Sequence, residues 1–442
     1  MKILNQIREN LSDFDRFAGG IDVHKEFSIV SIYSSKKESG IEYTYEKTDR
    51  FQMIPQGLAE MVSYLSKYSN LVVAFESTGP YSLLVYKVLQ DHMPQEKVLC
   101  VNAYFAKALP GRKSDKLDSK NLAKYAFYGL LKGSYIPDNT YQILRRLTRS
   151  RKRLVRMAAS SKNRIIMILD RAGLRINTEI DLFAKYGLQL LLELAMGTSL
   201  KHYIEICPPN SHILQYKAYL TPFCSLELLV FEREELQAAL LEYCFLVKQV
   251  AETERALYNF MNQPGNESLL AQFNILVSVP SIGDISAFEL LAELGPITRF
   301  TSLKRAQSYT GLVPTLVESG GKEKKKKLLK RGNRRLRTTL VQCAKTLVYL
   351  TKNISPEFRA YINSVVQKNT PIEKKIWVEI AKKLLRICMA LLRSGRSFDS
   401  LVIEKVKRRK WKRKQKNERG NSISSKSKSP SYVLNLILPL LL

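Results

Sequence analysis

Histidine is scarce in this chain, with four in 442 residues, and none of its six cysteines (Cys100, Cys207, Cys224, Cys244, Cys343 and Cys388) belongs to a C-x-x-C pair. Such wide spacing offers neither a zinc site nor a disulfide framework, so buried free thiols in a reducing compartment are the default. No apolar run reaches the length of a membrane span; residues 432–442 are apolar but too few, and Pro439 interrupts them. The opening residues MKILNQIRENLSDFDRF are too polar for a signal peptide, so a cytoplasmic protein is expected. Acidic charge is also in short supply: 40 Asp and Glu face 71 Lys and Arg, a formal net charge of +31. The basic residues recur along the whole chain, which points to a polyanionic partner, because each neutralised phosphate releases counterions. The 45% hydrophobic content is that of a protein able to bury real cores, and the length suffices for two or three domains.

Residues 18–33, AGGIDVHKEFSIVSIY, predict two short strands around a turn, with Asp22 at the end of the first. A third strand is expected near 41–45, a helix over 55–68, a buried strand over 71–75 ending on Glu76, a helix over 80–91 and a strand over 97–101. After the basic turn GRKSD a helix is expected from 115 to 131. This order of elements is an α/β layout with a mixed sheet. Residues 139–262 read as almost wholly helical. Their first stretch, LRRLTRSRKRLVRMAASSKNRIIMILDRAG, carries Arg145, Arg146, Arg149, Arg153 and Arg156 at intervals that make one basic helix face. That face is either solvated or laid along nucleic-acid phosphates; unpaired like charge on one helix repels itself without an anion. Residues 275–295, ILVSVPSIGDISAFELLAELG, fit a helix-hairpin-helix with Gly283 in a phosphate-binding turn, and equally a plain helical hairpin. Residues 311–337, GLVPTLVESGGKEKKKKLLKRGNRRLR, predict a loop or hairpin tip of strong positive potential, followed by helices over 336–353 and 372–393. A basic tail, 401–442, is expected to be disordered.

Four acids stand out by placement. Asp22 and Glu76 end strands, while Asp115 and Asp118 stand three apart and share a helix face. Converging carboxylates repel one another unless a cation neutralises them, and Mg2+ prefers such hard oxygen ligands. Two ions clamped between carboxylates and phosphate oxygens could serve both the attacking and the leaving oxygen of a phosphodiester. Each acid taken singly is as readily surface decoration; the four together in this element order fit a ribonuclease-H-like nuclease core. His24, two residues after Asp22, could ligate, but with no second histidine nearby it is expected to lie on the surface or to support the site rather than ligate. Ser319 in E-S-G-G-K reads either as a turn residue or as a nucleophile. Lys322, Lys330, Arg331, Arg334 and Arg337 would supply the positive charge that a pentavalent phosphate demands.

The segments GIDVHKEFSIVSI, VVAFESTGPY and KSDKLDSKNLAKYA resemble the DEDD, RuvC-like domain of the insertion-sequence transposases whose type member is number one hundred and ten. The segments VPSIGDISAFELLAELG, RFTSLKRAQSYTGLVPTLVESGGK, KRGNRRLRTTLVQCA and KKIWVEIAKKLLRICMALLRSGRSFD resemble that family's C-terminal transposase domain. The resemblance runs in order from about residue 18 to 398. It implies an α/β plus α protein: a ribonuclease-H-like (RuvC-like) domain over 1–135, a helical coiled-coil connector over 136–265 and a mainly helical C-terminal transposase domain over 266–400. It also implies metal-binding acids at Asp22, Glu76, Asp115 and Asp118, and a covalent phosphoserine-DNA intermediate at Ser319. Its expected partners are DNA, a structured guide RNA and further copies of the chain as a dimer or tetramer, acting at the bacterial nucleoid. A junction nuclease that hydrolyses with water, and a non-catalytic nucleic-acid-binding protein, are the competing expectations.

Overall fold

The computed structural model describes residues 5–7, 14–38, 41–77, 79–102, 115–313, 318–319, 322–323, 332–349, 356–367 and 374–398. They fall into two compact units, Met1–Ile136 and Pro137–Leu442. No helix among them is long and apolar enough to cross a membrane. The expected basic tail lies outside the described residues.

The first unit is built on a mixed six-stranded sheet ordered β1-β4-β3-β2-β5-β6. Its strands are β1 (Asn5–Ile7), β2 (Ala18–Val23), β3 (Phe27–Glu38), β4 (Ile41–Gln52), β5 (Val72–Glu76) and β6 (Val98–Val101). β2, β3 and β4 form an antiparallel meander, while β5 pairs parallel to β2 and β6 parallel to β5. β3 and β4 are each twelve residues long, far beyond the short strands expected, and β1 was not anticipated. The reason is pairing: twelve consecutive residues of β3 meet a partner in β4, so polar positions such as Lys36 and Glu42 are carried by the ladder.

The two faces of this sheet differ in residue size. One face sends Ile21, Val23, Val30, Ile32, Val73 and Phe75 into a core with Leu58, Met61 and Leu65 of α1 (Pro55–Leu65) and Val85 and Leu89 of α2 (Pro80–Gln90). The other face presents Ala18, Gly20, Ala74 and Ser31 to α3 (Asp115–Phe127). Small residues let this helix lie very close. A Cβ at Gly20 would stand 2.0 Å from the Ser119 carbonyl oxygen and 2.5 Å from the Ala123 nitrogen. Polar bonds hold it there. The buried hydroxyls of Ser31 and Ser119 are 2.8 Å apart, and Lys120 and Lys124 reach Glu46 of β4 at 3.3 and 2.7 Å. Burial alone would push the Glu46 carboxyl up; hydrogen bonds and charge from Lys124 and Lys120 hold it below its ordinary range.

The second unit is mostly helical. Its longest helices are α4 (Asn139–Arg171) and α7 (Val230–Met261), joined through α5 (Lys185–Met196), α6 (Leu200–Ile206) and short helical turns. The expected helical stretch over 139–262 is therefore interrupted between 172 and 229, where Gly173 and Gly197 take left-handed φ values and end their helices. α4 and α7 run antiparallel: Arg151 pairs with Glu254 at 2.7 Å, the Ser161 hydroxyl donates to the Ala239 carbonyl, and Arg171 pairs with Glu235. Ile165, Ile168, Leu236 and Leu240 close one core between them. A second core gathers α8 (Glu267–Val277), α9 (Asp284–Leu294), α10 (Leu303–Thr310), α11 (Arg334–Tyr349), α12 (Pro356–Gln367) and α13 (Lys374–Ser394). A two-stranded hairpin, β7 (Glu318–Ser319) with β8 (Lys322–Glu323), stands between α10 and α11.

Candidate active site

Two of the four acids come together through strand register. Ala18, Gly19, Gly20 and Ile21 of β2 pair in parallel with Val72, Val73, Ala74 and Phe75 of β5. One step further, Asp22 stands level with Glu76 on strands that lie about 4.8 Å apart. Side chains alternate along a strand, so Asp22 points to the same face as Gly20 and Glu76 to the same face as Ala74. That is the face covered by α3. Residues 119 and 123 of α3 lie on Gly20, and Ala126 meets Ala18 and Ala74. Hence the first turn of α3, which carries Asp115 and Asp118, begins beside the carboxyl ends of β2 and β5. In open α/β sheets this end of parallel strands is where ligands bind.

Asp22 is half-buried, and its Oδ2 lies 3.0 Å from Nε2 of His24. The His24 ring packs on Phe27 at 4.7 Å, and the Arg50 guanidinium lies 3.8 Å from the centre of the Phe27 ring. His24 thus sits as a support for Asp22. Glu76 is half-buried and Asp118 is exposed. The side chain of Asp115 lies outside the described residues. Among those that are described, no three His, Cys, Asp or Glu side chains gather around one point. The donor chemistry nevertheless fits a hard divalent ion: all four are carboxylates, two at strand ends and two in the first turn of α3. Asn102 is exposed directly after β6, which pairs with β5. Like Glu76, it is a polar residue directly after an apolar run.

The basic positions divide. On α4, Arg145 is partly buried, while Arg149 is exposed on the same side as Arg146 yet reaches the end of α9. Arg145 donates to the carbonyls of Ala292 and Glu293 at 2.7 and 3.2 Å, and Arg149 grips Glu293 with two hydrogen bonds of 2.8 and 3.0 Å. Arg151 and Lys152 likewise meet Glu254 and Glu289. Part of the charge on this helix is therefore answered by the chain's own acids, which sequence spacing could not reveal. Arg146, Arg153 and Arg156 are exposed, share the outer face, and have no ion-pair partner among the described residues.

Gly283 caps α9 with extended backbone, and open space surrounds it. The carboxylate of Asp284 already occupies the first turn of that helix, hydrogen-bonded by the Tyr258 hydroxyl. An acid there competes with a phosphate for the positive helix end.

Ser319 and Lys322 are direct cross-strand partners in the small hairpin. The two residues between them are glycines, the pair that tight hairpin turns favour. The side chains of Ser319 and Lys322 lie outside the described residues, as do Lys330 and Arg331 altogether. Arg334 is exposed at the start of α11, and Arg337 donates to the Thr310 carbonyl at 3.3 Å.

Two family models match the chain in order. A DEDD transposase model of the IS110 group covers residues 19–173, which include all four acids. A model described as the transposase IS116/IS110/IS902 family covers residues 273–363, which include Gly283 and Ser319. Together they span more than half of the chain.

The chain belongs to the IS110 family of transposases.

Curated relatives agree in type. The transposase for insertion sequence element IS1328 of Yersinia enterocolitica is 29% identical over 35% of this chain and 44% of its own length. The pilin gene-inverting protein of Moraxella bovis is 31% identical over 30% of this chain and 40% of its own. A putative transposase of Sinorhizobium fredii is 22% identical over 77% of this chain and 74% of its own. The chain thus matches less than half the length of the first two. Neither family model reaches residues 174–272, where α5, α6 and α7 lie.

Proposed function

We infer that this member of the IS110 family is a DNA recombinase that cuts and rejoins strands during insertion, excision or inversion of a mobile element. The observation that carries this reading is the level placement of Asp22 and Glu76 on adjoining parallel strands, with the first turn of α3 beside them. We read the first unit as a ribonuclease-H-like, RuvC-like domain in which Asp22, Glu76, Asp115 and Asp118 hold Mg2+. When bound, the ion would polarise a phosphodiester and offset its charge. The antiparallel pair α4 and α7 is read as a coiled-coil connector, and residues 266–400 as the transposase domain carrying the serine.

The residues of the chain then have distinct tasks. Asp22 is steadied by His24. Ser319 attacks the phosphorus through its hydroxyl oxygen. A serine–phosphate bond forms as one backbone P–O bond breaks; the serine proton leaves and the departing hydroxyl takes one up. The number of phosphodiesters is conserved, so rejoining needs no nucleotide triphosphate. Lys322, Lys330, Arg331 and Arg334 supply positive charge to the crowded phosphate. Arg146, Arg153 and Arg156 hold nucleic-acid backbone. A structured RNA from the element is the proposed guide, and subunits assemble as a dimer or tetramer.

Strand exchange on cognate element ends tests the acids: Asp22→Ala and Asp118→Ala abolish cleavage while nucleic-acid binding persists. Cleavage at the wild-type rate in either variant defeats the metal assignment. A DNA adduct that survives denaturation, present in wild type and absent in Ser319→Ala, supports the serine route. Cleavage by wild type without any adduct transfers the reaction to water.

A further inference from the structure

A carboxylate is buried where no sequence motif announces it. Glu293, near the end of α9, is only 3% exposed. Arg149 of α4 donates to both its oxygens, and the Asn333 amide donates to Oε2 at 2.9 Å. The Tyr309 hydroxyl joins the cluster, donating to the Glu293 carbonyl and accepting from the Asn333 amide, each at 3.2 Å. Burial would push the Glu293 carboxyl up, but the hydrogen bonds from Arg149 and Asn333 and the charges of Arg149 and Arg145 hold it below its ordinary range.

Asn333 is also the end of something. Its nitrogen donates to the Tyr309 carbonyl at 2.6 Å, and its side-chain oxygen caps α11 by accepting from the nitrogens of Arg335 and Leu336. Next to it, Gly332 lies against Gly311 so tightly that a Cβ would stand 2.2 Å from the Gly311 nitrogen. Gly311 ends α10 at a left-handed φ of 68°. The two ends of the segment that carries the β7–β8 hairpin, and with it Ser319, are therefore tied to one point, and that point is bonded to Glu293. A buried carboxylate held by a half-exposed arginine and an amide adds little net stability compared with an apolar packing; a single defined geometry is what it can supply.

We propose that the Glu293–Asn333–Tyr309 cluster, braced by Arg149, is the positioning device that fixes the two ends, Gly311 and Gly332, of the segment carrying Ser319 for attack on DNA. These are positioning residues, acting through Ser319, and the inference rests on the serine reading above. Asn333→Ser separates the roles. Serine still caps α11 but is too short to reach Glu293 and Tyr309.

The experiment uses the full chain with Mg2+, the flanking transcript and a duplex oligonucleotide carrying the element junction, and follows the denaturation-resistant adduct over time. In Asn333→Ser the rate at saturating DNA, measured well below the melting temperature, falls roughly tenfold or more, while the half-saturating DNA concentration stays unchanged. A wild-type rate in that variant overturns the proposal. Should Asn333→Ser melt early, Tyr309→Phe decides, since it keeps the ring against Phe300 and Arg299. A rate several-fold lower supports the proposal, and an unchanged rate removes it. Absence of adduct in wild type is a separate result: it ends the serine reading and the positioning role falls with it.

Discussion

At the scale of single residues, burial and partners decide which charges are structural. Glu293 and Arg149 stabilise the second unit only as a pair. Arg149→Ala leaves the buried Glu293 carboxylate short of a donor and costs roughly 1–3 kcal/mol in denaturant unfolding, at the low end because the Arg149 side chain is 43% exposed. Because the carboxyl of Glu293 is held low in the folded state, its contribution is complete above its ordinary value of 4.5 and is lost as pH falls through the lowered folded value. Acid titration of wild type and Glu293→Gln, followed by circular dichroism, shows this as a shallower acid-side loss in the variant. Equal slopes would mean that Glu293 is no more strongly ionised in the fold than in the open chain. Asp22 illustrates the opposite case. It sits at a strand end with His24 beside it, so its removal is expected to spoil chemistry far more than stability.

At the scale of elements, the contact of α3 with the sheet sets where the backbone of Asp115 and Asp118 starts relative to β2 and β5. Ala18, Gly20 and Ala74 admit the helix at a distance that larger side chains would forbid. Gly20→Val drives methyl groups into the Ser119 carbonyl and the Ala123 nitrogen, so helix and sheet must separate. Such overpacking costs roughly 1–3 kcal/mol or more, and cleavage is expected to vanish in protein that still binds nucleic acid. Full cleavage by Gly20→Val would show that the spacing of α3 from β2 is irrelevant to the acids. α4 gives a second prediction. Its outer face keeps Arg146, Arg153 and Arg156, while Arg151, Lys152 and Arg149 are spent on Glu254, Glu289 and Glu293. Replacing the outer three with alanine lowers the slope of log affinity against log salt by about three, one for each lost phosphate contact. Replacing Arg145 instead perturbs folding, because it bonds the last carbonyls of α9.

At the scale of the whole molecule, the net charge of +31 sets the solution behaviour expected of a nucleic-acid enzyme. Nucleic-acid affinity measured between 50 and 200 mM salt is expected to fall by orders of magnitude, as counterion release from many contacts requires. A flat response would assign the charge to some other task.

Much of the architecture was legible in the chain itself, because period and composition report local preference. VVAF reads as a buried strand without any neighbour, and the dense arginine stretch reads as a long helix. Strand lengths were less legible: β3 and β4 extend to twelve residues because each supplies the other's ladder, a non-local fact. The acids at Asp22 and Glu76 could be nominated from strand ends, but only the parallel register of β2 with β5 sets them level on one face. The bonds of Arg145 and Arg149 to the end of α9, the burial of Glu293 and the tie of Asn333 to Tyr309 were decided by tertiary packing alone. Sequence spacing states which residues share a helix face; whether that face meets water, a phosphate or a buried carboxylate depends on segments more than a hundred residues away.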